Sequence, residues 1–304
     1  MKKYPIRFAP QERKAIWGRE TWLVSGHPSM PSVVANGVYA GRTLPDLVDE
    51  FGAELLGTAS RGDIFPLLVK EIEANDRLSI QVHPSETSAR LCGGDPKTEM
   101  WYVLASGPDA EIFAGLQNGV DRKRLEEALA DDAERAVVSF RVKRGDVLFI
   151  PGGLIHSIGG GCRVFEVQQT SDTTWRLHDW NRVDAGTGQP RKLNLREGLA
   201  SIDWSLPPPS LLRDATQGAG GLSAQELVNC EFFRFSVRDL QSPVRFAGRA
   251  ESFVILHVEE GGGEVLVEGT GPVAFAAGES VLVPAATPFE VVPKPHAHLL
   301  VVET

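Results

Sequence analysis

The chain has 304 residues, of which 42% are hydrophobic and 23% are charged, and its formal net charge is −9. This negative charge argues against an extended surface for nucleic acid or anionic membranes, so any anionic ligand must be held by a local cluster of cations. The 31 glycines and 20 prolines indicate many turns and favour a β architecture over long helices.

The N-terminus, MKKYPIRFAP, carries two lysines, but no apolar segment follows it. No run of about 18 uncharged apolar residues occurs elsewhere. Cys92, Cys162 and Cys230 are far apart and form no CxxC, which indicates neither a disulfide framework nor a cysteine metal site. We therefore expect a cytoplasmic protein that binds neither membranes nor nucleic acid, and we predict no protein partner.

Three short helices are predicted. Residues 43–52, TLPDLVDEFG, have apolar side chains at the i, i+3, i+4 and i+7 positions and end on glycine. Residues 121–132, DRKRLEEALADD, have one apolar face. Ser223 and Glu226 have the spacing of a capping box, which predicts that a third helix begins there.

Most of the remaining sequence has the alternation and turn signals of short strands. The predicted strands are FPLLVKEI, RLSIQVHP, EMWYVLAS, AEIFAGL, AVVSFRV, DVLFIPG and RVFEVQQT, followed late in the chain by SFVILHVEE, GEVLVEG, ESVLVPA and HLLVVET. Their spacing predicts a β-sandwich or a barrel.

A proline-rich and then glycine-rich stretch, WSLPPPSLLRDATQGAGG, interrupts the strands. Such a composition is typical of a linker. We predict an N-terminal domain at residues 1–205, a linker at 206–221 and a C-terminal domain at 222–304.

A weak repeat relates the two predicted domains. RGDVLFIPGGLIH, residues 144–156, resembles AGESVLVPAATPF, residues 277–289, with glycine and proline at the same spacing in both. A tight turn that enters a buried strand, closed by a proline, explains this spacing. The first copy ends on His156 and the second on Phe289, so a polar group in one copy corresponds to an apolar side chain in the other.

The segment LSIQVHP begins at Leu78 and alternates like a strand, yet one face carries Ser79, Gln81 and His83. A solvent-exposed strand is one interpretation of such a row. However, a proline ends the strand directly after His83, and strand ends commonly present functional groups.

Further polar candidates lie in other strand-like segments, at Glu99 and His156. Together with His83 and the amide oxygen of Gln81, they offer two imidazoles, one carboxylate and one amide. This combination suits zinc or another borderline divalent metal. The alternative for each histidine is a hydrogen-bonded position in the core.

Gly145, Pro151, Gly153 and His156 fit the second cupin motif: glycine, five residues, proline, one residue, glycine, two residues, histidine. In the first cupin motif, Gln81 stands at the position of the usual first histidine. His83 and Glu99 follow it as the second histidine and the glutamate.

These residues, with KTE and QQTSDTTWR, resemble class I mannose-6-phosphate isomerases in their short bacterial form, and the resemblance covers nearly the whole chain. It implies an all-β double jelly-roll, or bicupin, with a few short helices and a metal-free second cupin. It also implies an isomerase of mannose 6-phosphate and fructose 6-phosphate that uses one zinc ion. The implied zinc ligands are Gln81, His83, Glu99 and His156.

The resemblance assigns substrate binding to Lys70, Ser79 and Asp172, and catalysis to Lys97, Glu166 and Arg176. Aldose–ketose isomerisation needs a proton carrier and charge stabilisation for an enediol-like intermediate. We expect Glu166 to carry the proton with a pKa raised by partial burial, and Arg176 and Lys97 to stabilise the charge.

Several alternatives remain at this stage. Lys70 and Lys97 are interpretable as surface cations, and Arg176 and Asp172 as a structural pair. A cupin dioxygenase with an iron facial triad, or a non-catalytic sugar-phosphate-binding cupin, would have the same fold.

Overall fold

The computed structural model describes residues 1–60, 64–184, 186–216 and 223–304. In these ranges the helices are α1 (Leu44–Phe51), α2 (Ala53–Leu56), α3 (Glu86–Cys92), α4 (Arg122–Ala130) and α5 (Leu195–Ser201), with 3-10 helices at Gly37–Tyr39 and Ala133–Ala136. The strands in the first half are β1 (Ile6–Ala9), β2 (Gln11–Ala15), β3 (Gly18–Ser25), β4 (Val33–Val34), β5 (Leu67–Ala74), β6 (Ile80–Val82), β7 (Glu99–Ser106), β8 (Glu111–Leu116), β9 (Val137–Arg141) and β10 (Asp146–Ile150). They are followed by β11 (His156–Ile158), β12 (Cys162–Gln169), β13 (Trp175–His178), β14 (Leu212–Arg213), β15 (Ser223–Asn229), β16 (Arg234–Leu240), β17 (Val244–Phe246), β18 (Val254–Leu266), β19 (Val273–Ala276), β20 (Ser280–Val283) and β21 (Phe289–Glu303).

The strands form antiparallel sheets, and the helices are short. One sheet contains β1, β4 and β15 to β21, and a smaller one has the order β13-β6-β11-β8-β9. A third contains β10, β7, β12 and β5 as neighbours. These features confirm the predicted all-β double jelly-roll fold with a few short helices. In the described residues, no helix is long and apolar enough to cross a membrane.

The chain forms two compact units. The terminal unit comprises residues 1–11, 22–69 and 213–304, and the central unit comprises residues 12–21 and 70–212. The predicted domains, 1–205 and 222–304, are each continuous in sequence. The observed units are not, because the terminal unit contains segments from both ends of the chain. The reason is that β1 pairs with β20, which places N-terminal residues in the unit of the C-terminal strands.

The change of unit before Arg213 falls inside the predicted linker, 206–221. Residues 217–221 of that linker lie outside the described residues. The three cysteines are free, in agreement with the expectation from their spacing.

Two of the three predicted helices are confirmed by α1 and α4. The third is wrong, because residues from Ser223 onward form β15, which pairs antiparallel with β16. The capping-box spacing at Ser223 and Glu226 is not followed by an apolar helical face. Instead, burial alternates along the segment as in a strand, and β16 supplies the hydrogen-bond partners.

Strand β6 sets the direction of the polar side chains in the segment LSIQVHP. Ile80 and Val82 are fully buried in an apolar cluster that also contains Ile155 and Leu177. Since alternate side chains of a strand point to opposite faces, Gln81 is directed away from this cluster. The apolar half of LSIQVHP thus fixes the direction of its polar half.

Candidate active site

The register of β7 and β12 places four polar or aromatic side chains in one patch. Glu99 lies opposite Gln168, and Trp101 lies opposite Glu166. Alternate residues of each strand share a face, and paired residues of neighbouring strands lie side by side. The four side chains are therefore presented together.

A second row runs across the smaller sheet. Gln81 on β6 pairs with His156 on β11 and with Arg176 on β13. The strand pairing thus places an amide between an imidazole and a guanidinium, although these residues are far apart in sequence.

His83, Glu99 and His156 form a compact buried group, each at most 1% exposed. His83 Nε2 lies 3.6 Å from Glu99 Oε2, and His156 Nε2 lies 3.4 Å from Glu99 Oε1. The three side chains offer one ligand atom each, all within 4.8 Å of one another. Such a group has the composition of a divalent-metal site.

Both imidazoles direct a lone pair into this group. His83 Nδ1 donates to the carbonyl of Thr173 at 2.7 Å, and His156 Nδ1 donates to the carbonyl of Leu154 at 2.8 Å. These bonds place the hydrogen on Nδ1 and leave Nε2 as the acceptor. Burial lowers the pKa of His156 to about 3 and that of His83 well below its usual value, so both rings are neutral.

Glu99 Oε1 is buried and has no hydrogen-bond partner. A buried acceptor without a partner is costly, and a metal ion ligated by the carboxylate and the two Nε2 atoms would satisfy it. The donor set and its orientation therefore fit a borderline divalent metal.

The fourth predicted ligand, Gln81, lies next to this group, but its amide nitrogen and not its oxygen faces His156. Its Nε2 lies 3.3 Å from His156 Nε2, while its Oε1 accepts a hydrogen bond from Ser79 Oγ at 3.0 Å. Ligation by Oε1 requires the amide to rotate, which Ser79 tolerates because a hydroxyl both donates and accepts.

The Lys97 ammonium lies directly against the group. Its Nζ is 3.0 Å from His83 Nε2, donates to Glu99 Oε2, and is 3.4 Å from Glu166 Oε1. Lys97 and Lys70 are each only 6% exposed, so their interpretation as surface cations is wrong. A divalent ion at His83 and Glu99 would repel the ammonium towards Glu166.

Glu166 is 2% exposed and is surrounded by donors. Trp101 Nε1 donates to its Oε2 at 2.7 Å, and Lys70 Nζ lies 3.2 Å from its Oε1. Burial acts to raise the pKa of Glu166, but the charges of Lys70 and Lys97 outweigh it and hold the pKa at about 2. The expectation of a raised pKa for Glu166 is therefore wrong for this structure.

The raised pKa belongs to Glu99 instead. Burial and the neighbouring charge of Glu166 raise it to about 7, against the opposing effect of Lys97. Lys70 also contacts Glu20, with Nζ 2.9 Å from Oε1. Burial disfavours the Lys70 charge, but the two carboxylates raise its pKa overall, so the ammonium stays protonated.

A cavity of about 370 Å³ in the central unit extends from this group. Gln81, Lys97 and Glu166 are among its lining residues, whereas His83, Glu99 and His156 are not. Six cations and four carboxylates line it, namely Arg13, Lys14, Lys70, Lys97, Arg176 and Arg191 against Glu20, Glu166, Asp172 and Asp184. The lining is therefore net positive in a chain whose charge is negative.

Arg176 and Asp172 both line the cavity but do not pair in the way considered above. Arg13 Nη1 lies 3.1 Å from Asp172 Oδ2, in an exposed ion pair. Arg176 Nη1 donates to the carbonyl of Lys192 at 3.0 Å, and its Nε is buried without a hydrogen-bond partner. Arg176 thus retains a donor for a ligand.

Several lining residues were not predicted from the sequence, among them Trp101, Gln168 and Arg191. Trp101 and Gln168 lie two residues from Glu99 and Glu166, so strand alternation alone was a sufficient signal for them. Gln168 Oε1 is buried without a hydrogen-bond partner. Arg191 follows an irregular segment and had no such signal; Asp179 holds its guanidinium through bonds of 2.5 and 2.8 Å.

Comparisons with known proteins agree with this geometry. A family model described as phosphomannose isomerase type I, catalytic domain, matches residues 9–102. The mannose-6-phosphate isomerase of Streptococcus mutans is 32% identical over 298 residues, which cover 92% of each chain. Mannose-6-phosphate isomerase ManA of Bacillus subtilis is 33% identical over 303 residues, covering 92% of this chain and 93% of that protein.

A crystal structure of the mannose 6-phosphate isomerase from Bacillus subtilis superposes with a TM-score of 0.87 at 29% identity and covers 99% of both chains. The resemblance noted in the sequence is thus matched in fold and over nearly the full length. The chain belongs to the type I phosphomannose isomerase family.

Proposed function

We propose that this protein interconverts mannose 6-phosphate and fructose 6-phosphate, with one zinc ion bound by His83, Glu99, His156 and Gln81. The observation that carries the proposal is the buried group of His83, Glu99 and His156 beside a net positive cavity. The two relatives named mannose-6-phosphate isomerase at 32% and 33% identity support the substrate.

When bound, the zinc ion orients the substrate oxygens and polarises them. The neutral imidazoles and the unpartnered oxygen of Glu99 are suited to hold it. Gln81 would complete the set once its amide rotates. The charge of the ion would displace the Lys97 ammonium from His83 and Glu99 towards Glu166 and the cavity.

The phosphate is held by cations in the cavity wall. Lys70 uses two of its three N–H donors on Glu20 and Glu166, which leaves one for the substrate. Ser79 donates a further hydrogen bond, and Asp172 accepts one from a sugar hydroxyl at the rim. A cavity of about 370 Å³ is in the usual range for a small-molecule site.

Glu166 accepts the proton from C2 of the open-chain aldose and returns it to C1, while the hydroxyl proton on O2 passes to O1, so that no proton is gained or lost overall. The carboxylate is ionised before the reaction. Its proton affinity rises when Lys97 turns from Glu166 to the enediolate oxygen, because a neighbouring positive charge is then removed. Arg176 supplies fixed positive charge where the enediolate develops.

A coupled assay for fructose 6-phosphate formed from mannose 6-phosphate tests this proposal. We expect chelated protein to be inactive and to regain activity when zinc is restored. Activity that survives complete metal removal contradicts the role of the ion. Metal binding without turnover rejects the isomerase and favours a sugar-phosphate-binding protein or an oxygenase.

A further inference from the structure

The terminal unit contains a second cavity, of about 310 Å³, which the isomerase proposal does not use. Its lining includes four arginines and one acidic residue, namely Arg234, Arg238, Arg245, Arg249 and Glu303. Four guanidinium groups thus line one cavity in a chain of net charge −9, and the carboxylates of Glu226, Glu251 and Glu290 lie beside them.

The arginines are carried by neighbouring strands and the loop that follows them. Arg234 and Arg238 are four residues apart on β16, which pairs with β21, so their side chains share a face. Arg245 lies on β17, which also pairs with β21, and Arg249 follows that strand. The sheet therefore holds the cations around one opening.

Arg238 is the most informative member of this cluster. Its guanidinium carbon lies 5.1 Å from the centroid of the Phe246 ring, and this ring stacks on Phe289 at 4.5 Å. Its Nε is buried and has no hydrogen-bond partner. A buried donor without an acceptor is destabilising, and an acceptor supplied by a ligand would remove this penalty.

The other three arginines contact carboxylates only loosely, across distances of 3.2 to 3.8 Å. These pairs are Arg234 with Glu226, Arg245 with Glu290, and Arg249 with both Glu251 and Glu303. The Arg245 side chain is 85% exposed and that of Arg249 is 40% exposed. Exposed pairs of this kind are weak, so these guanidinium groups can turn to an anion at little cost.

We infer that this cavity binds a phosphate dianion, as inorganic phosphate or as the phosphate group of a small phosphomonoester. A tetrahedral dianion offers acceptor oxygens in several directions, which suits guanidinium forks that approach from two strands and a loop. The face of Phe246 holds the Arg238 guanidinium in place and limits its motion. The site lies in the terminal unit and is independent of the isomerase chemistry.

The test is a titration of the intact protein with inorganic phosphate and, separately, with glycerol 3-phosphate. Arginine Nε–Hε resonances are followed by NMR, and the Arg238 signal is assigned by its loss in Arg238→Met. We expect this signal to shift saturably in the wild type. Equal affinity for the two probes identifies inorganic phosphate as the ligand, and tighter binding of glycerol 3-phosphate identifies a phosphomonoester.

Calorimetry of the variants locates the site. Arg238→Met should raise the Kd about tenfold or more, because a charge-assisted hydrogen bond is lost. Arg42→Met is the matched control, since Arg42 also lies over aromatic rings, at 5.9 Å, but does not line the cavity. Arg245→Met, at an exposed position, should weaken binding less and does not threaten folding.

An Arg238 signal that does not shift, or equal affinities of Arg238→Met and Arg42→Met, overturns the proposal. The Arg238 resonance, and the difference between Arg238→Met and Arg42→Met in calorimetry, report binding in the terminal unit, whereas phosphate that binds in the central cavity contributes equally to both variants. A failure of the isomerase assay therefore leaves this test intact.

Discussion

The two copies of the sequence repeat have the same turn and opposite chemistry. Gly145 and Gly278 open the copies with φ angles of 84° and 83°. His156 begins β11 and Phe289 begins β21. His156 lies beside Glu99 in a polar buried group, whereas Phe289 packs in an apolar cluster. The same turn and strand thus position a candidate metal ligand in the central unit and a core side chain in the terminal unit.

The buried histidines His156, in the central unit, and His298, in the terminal unit, differ in the direction of their pKa shifts. Burial, with a smaller contribution from the nearby charge of Lys97, lowers the pKa of His156 to about 3. Burial also acts against a charge on His298, but the carboxylates of Asp214 and Glu259 beside the ring raise its pKa to about 9. The neutral ring has a free lone pair for a metal, and the charged ring is a structural cation.

The largest expected effect is catalytic and concerns the central unit. Glu166→Gln keeps the shape of the side chain but removes its ability to accept a proton. We expect kcat in the coupled isomerase assay to fall about 100- to 10,000-fold, with metal content unchanged. Glu20→Gln is the matched control, since it removes the other carboxylate that contacts Lys70. Near-normal turnover by Glu166→Gln rejects the proton-transfer assignment.

At the corresponding position of the terminal unit, the expected effect is on stability. Phe289 is 4% exposed and stacks on Phe246. Phe289→Ala should lower the free energy of unfolding by about 3–5 kcal/mol, measured by chemical denaturation, while the zinc content of the folded protein stays the same. Phe289→Leu should cost less, because it leaves a smaller cavity. Loss of metal from Phe289→Ala would break the distinction between the two copies.

The charged histidine predicts a pH dependence of stability. His298 Nε2 lies 3.0 Å from Asp214 Oδ2, and its Nδ1 lies 3.3 Å from Glu259 Oε2. The pKa of about 9 in the folded protein exceeds the ordinary histidine pKa of 6.5. This contribution is therefore fully present below pH 6.5 and is lost as the pH rises through 9.

Its full size is roughly 3 kcal/mol, and denaturation curves at pH 6 and pH 9.5 measure it. His298→Gln should flatten this part of the pH profile. The lowered pKa of Asp214, which burial opposes and the bond to His298 favours, acts in a different window, at acidic pH. If wild type and His298→Gln lose the same stability between the two pH values, the charged pair is not the cause.

The smallest effects concern the turns themselves. Gly153 and Ala286 occupy equivalent positions, two residues after the proline, with φ angles of 94° and 51°. Gly153→Ala should destabilise by more than about 1 kcal/mol, because a side chain is strained there and its Cβ would lie 3.0 Å from that of Asp203. Ala286→Gly should change stability by less than about 1 kcal/mol. The melting temperatures of both variants check this prediction. An equal change in melting temperature for the two substitutions would contradict it.

Short-range patterns predicted a β-sandwich or a barrel and candidate metal ligands, while the double jelly-roll and the full ligand set were implied by the family resemblance. The alternation in LSIQVHP and the motif that ends on His156 place their side chains almost without reference to the rest of the chain. The third helix was wrong because the spacing of Ser223 and Glu226 is local, whereas pairing with β16 is not.

Charge and packing between distant strands account for the remaining differences. The lowered pKa of Glu166 depends on Lys70 and Lys97, whose burial no local pattern indicates. The terminal unit contains residues from both ends of the chain because β1 pairs with β20. The arginine cavity combines residues from β16, β17 and the loop after it, and none of these had a motif.

The most direct test of the central claim is the zinc content per chain, measured by plasma mass spectrometry after reconstitution, in the wild type, His156→Ala and Phe289→Ala. We expect one zinc ion per chain in the wild type and in Phe289→Ala, and almost none in His156→Ala. Full zinc occupancy in His156→Ala would contradict the assignment of the metal to His83, Glu99 and His156 in the central unit.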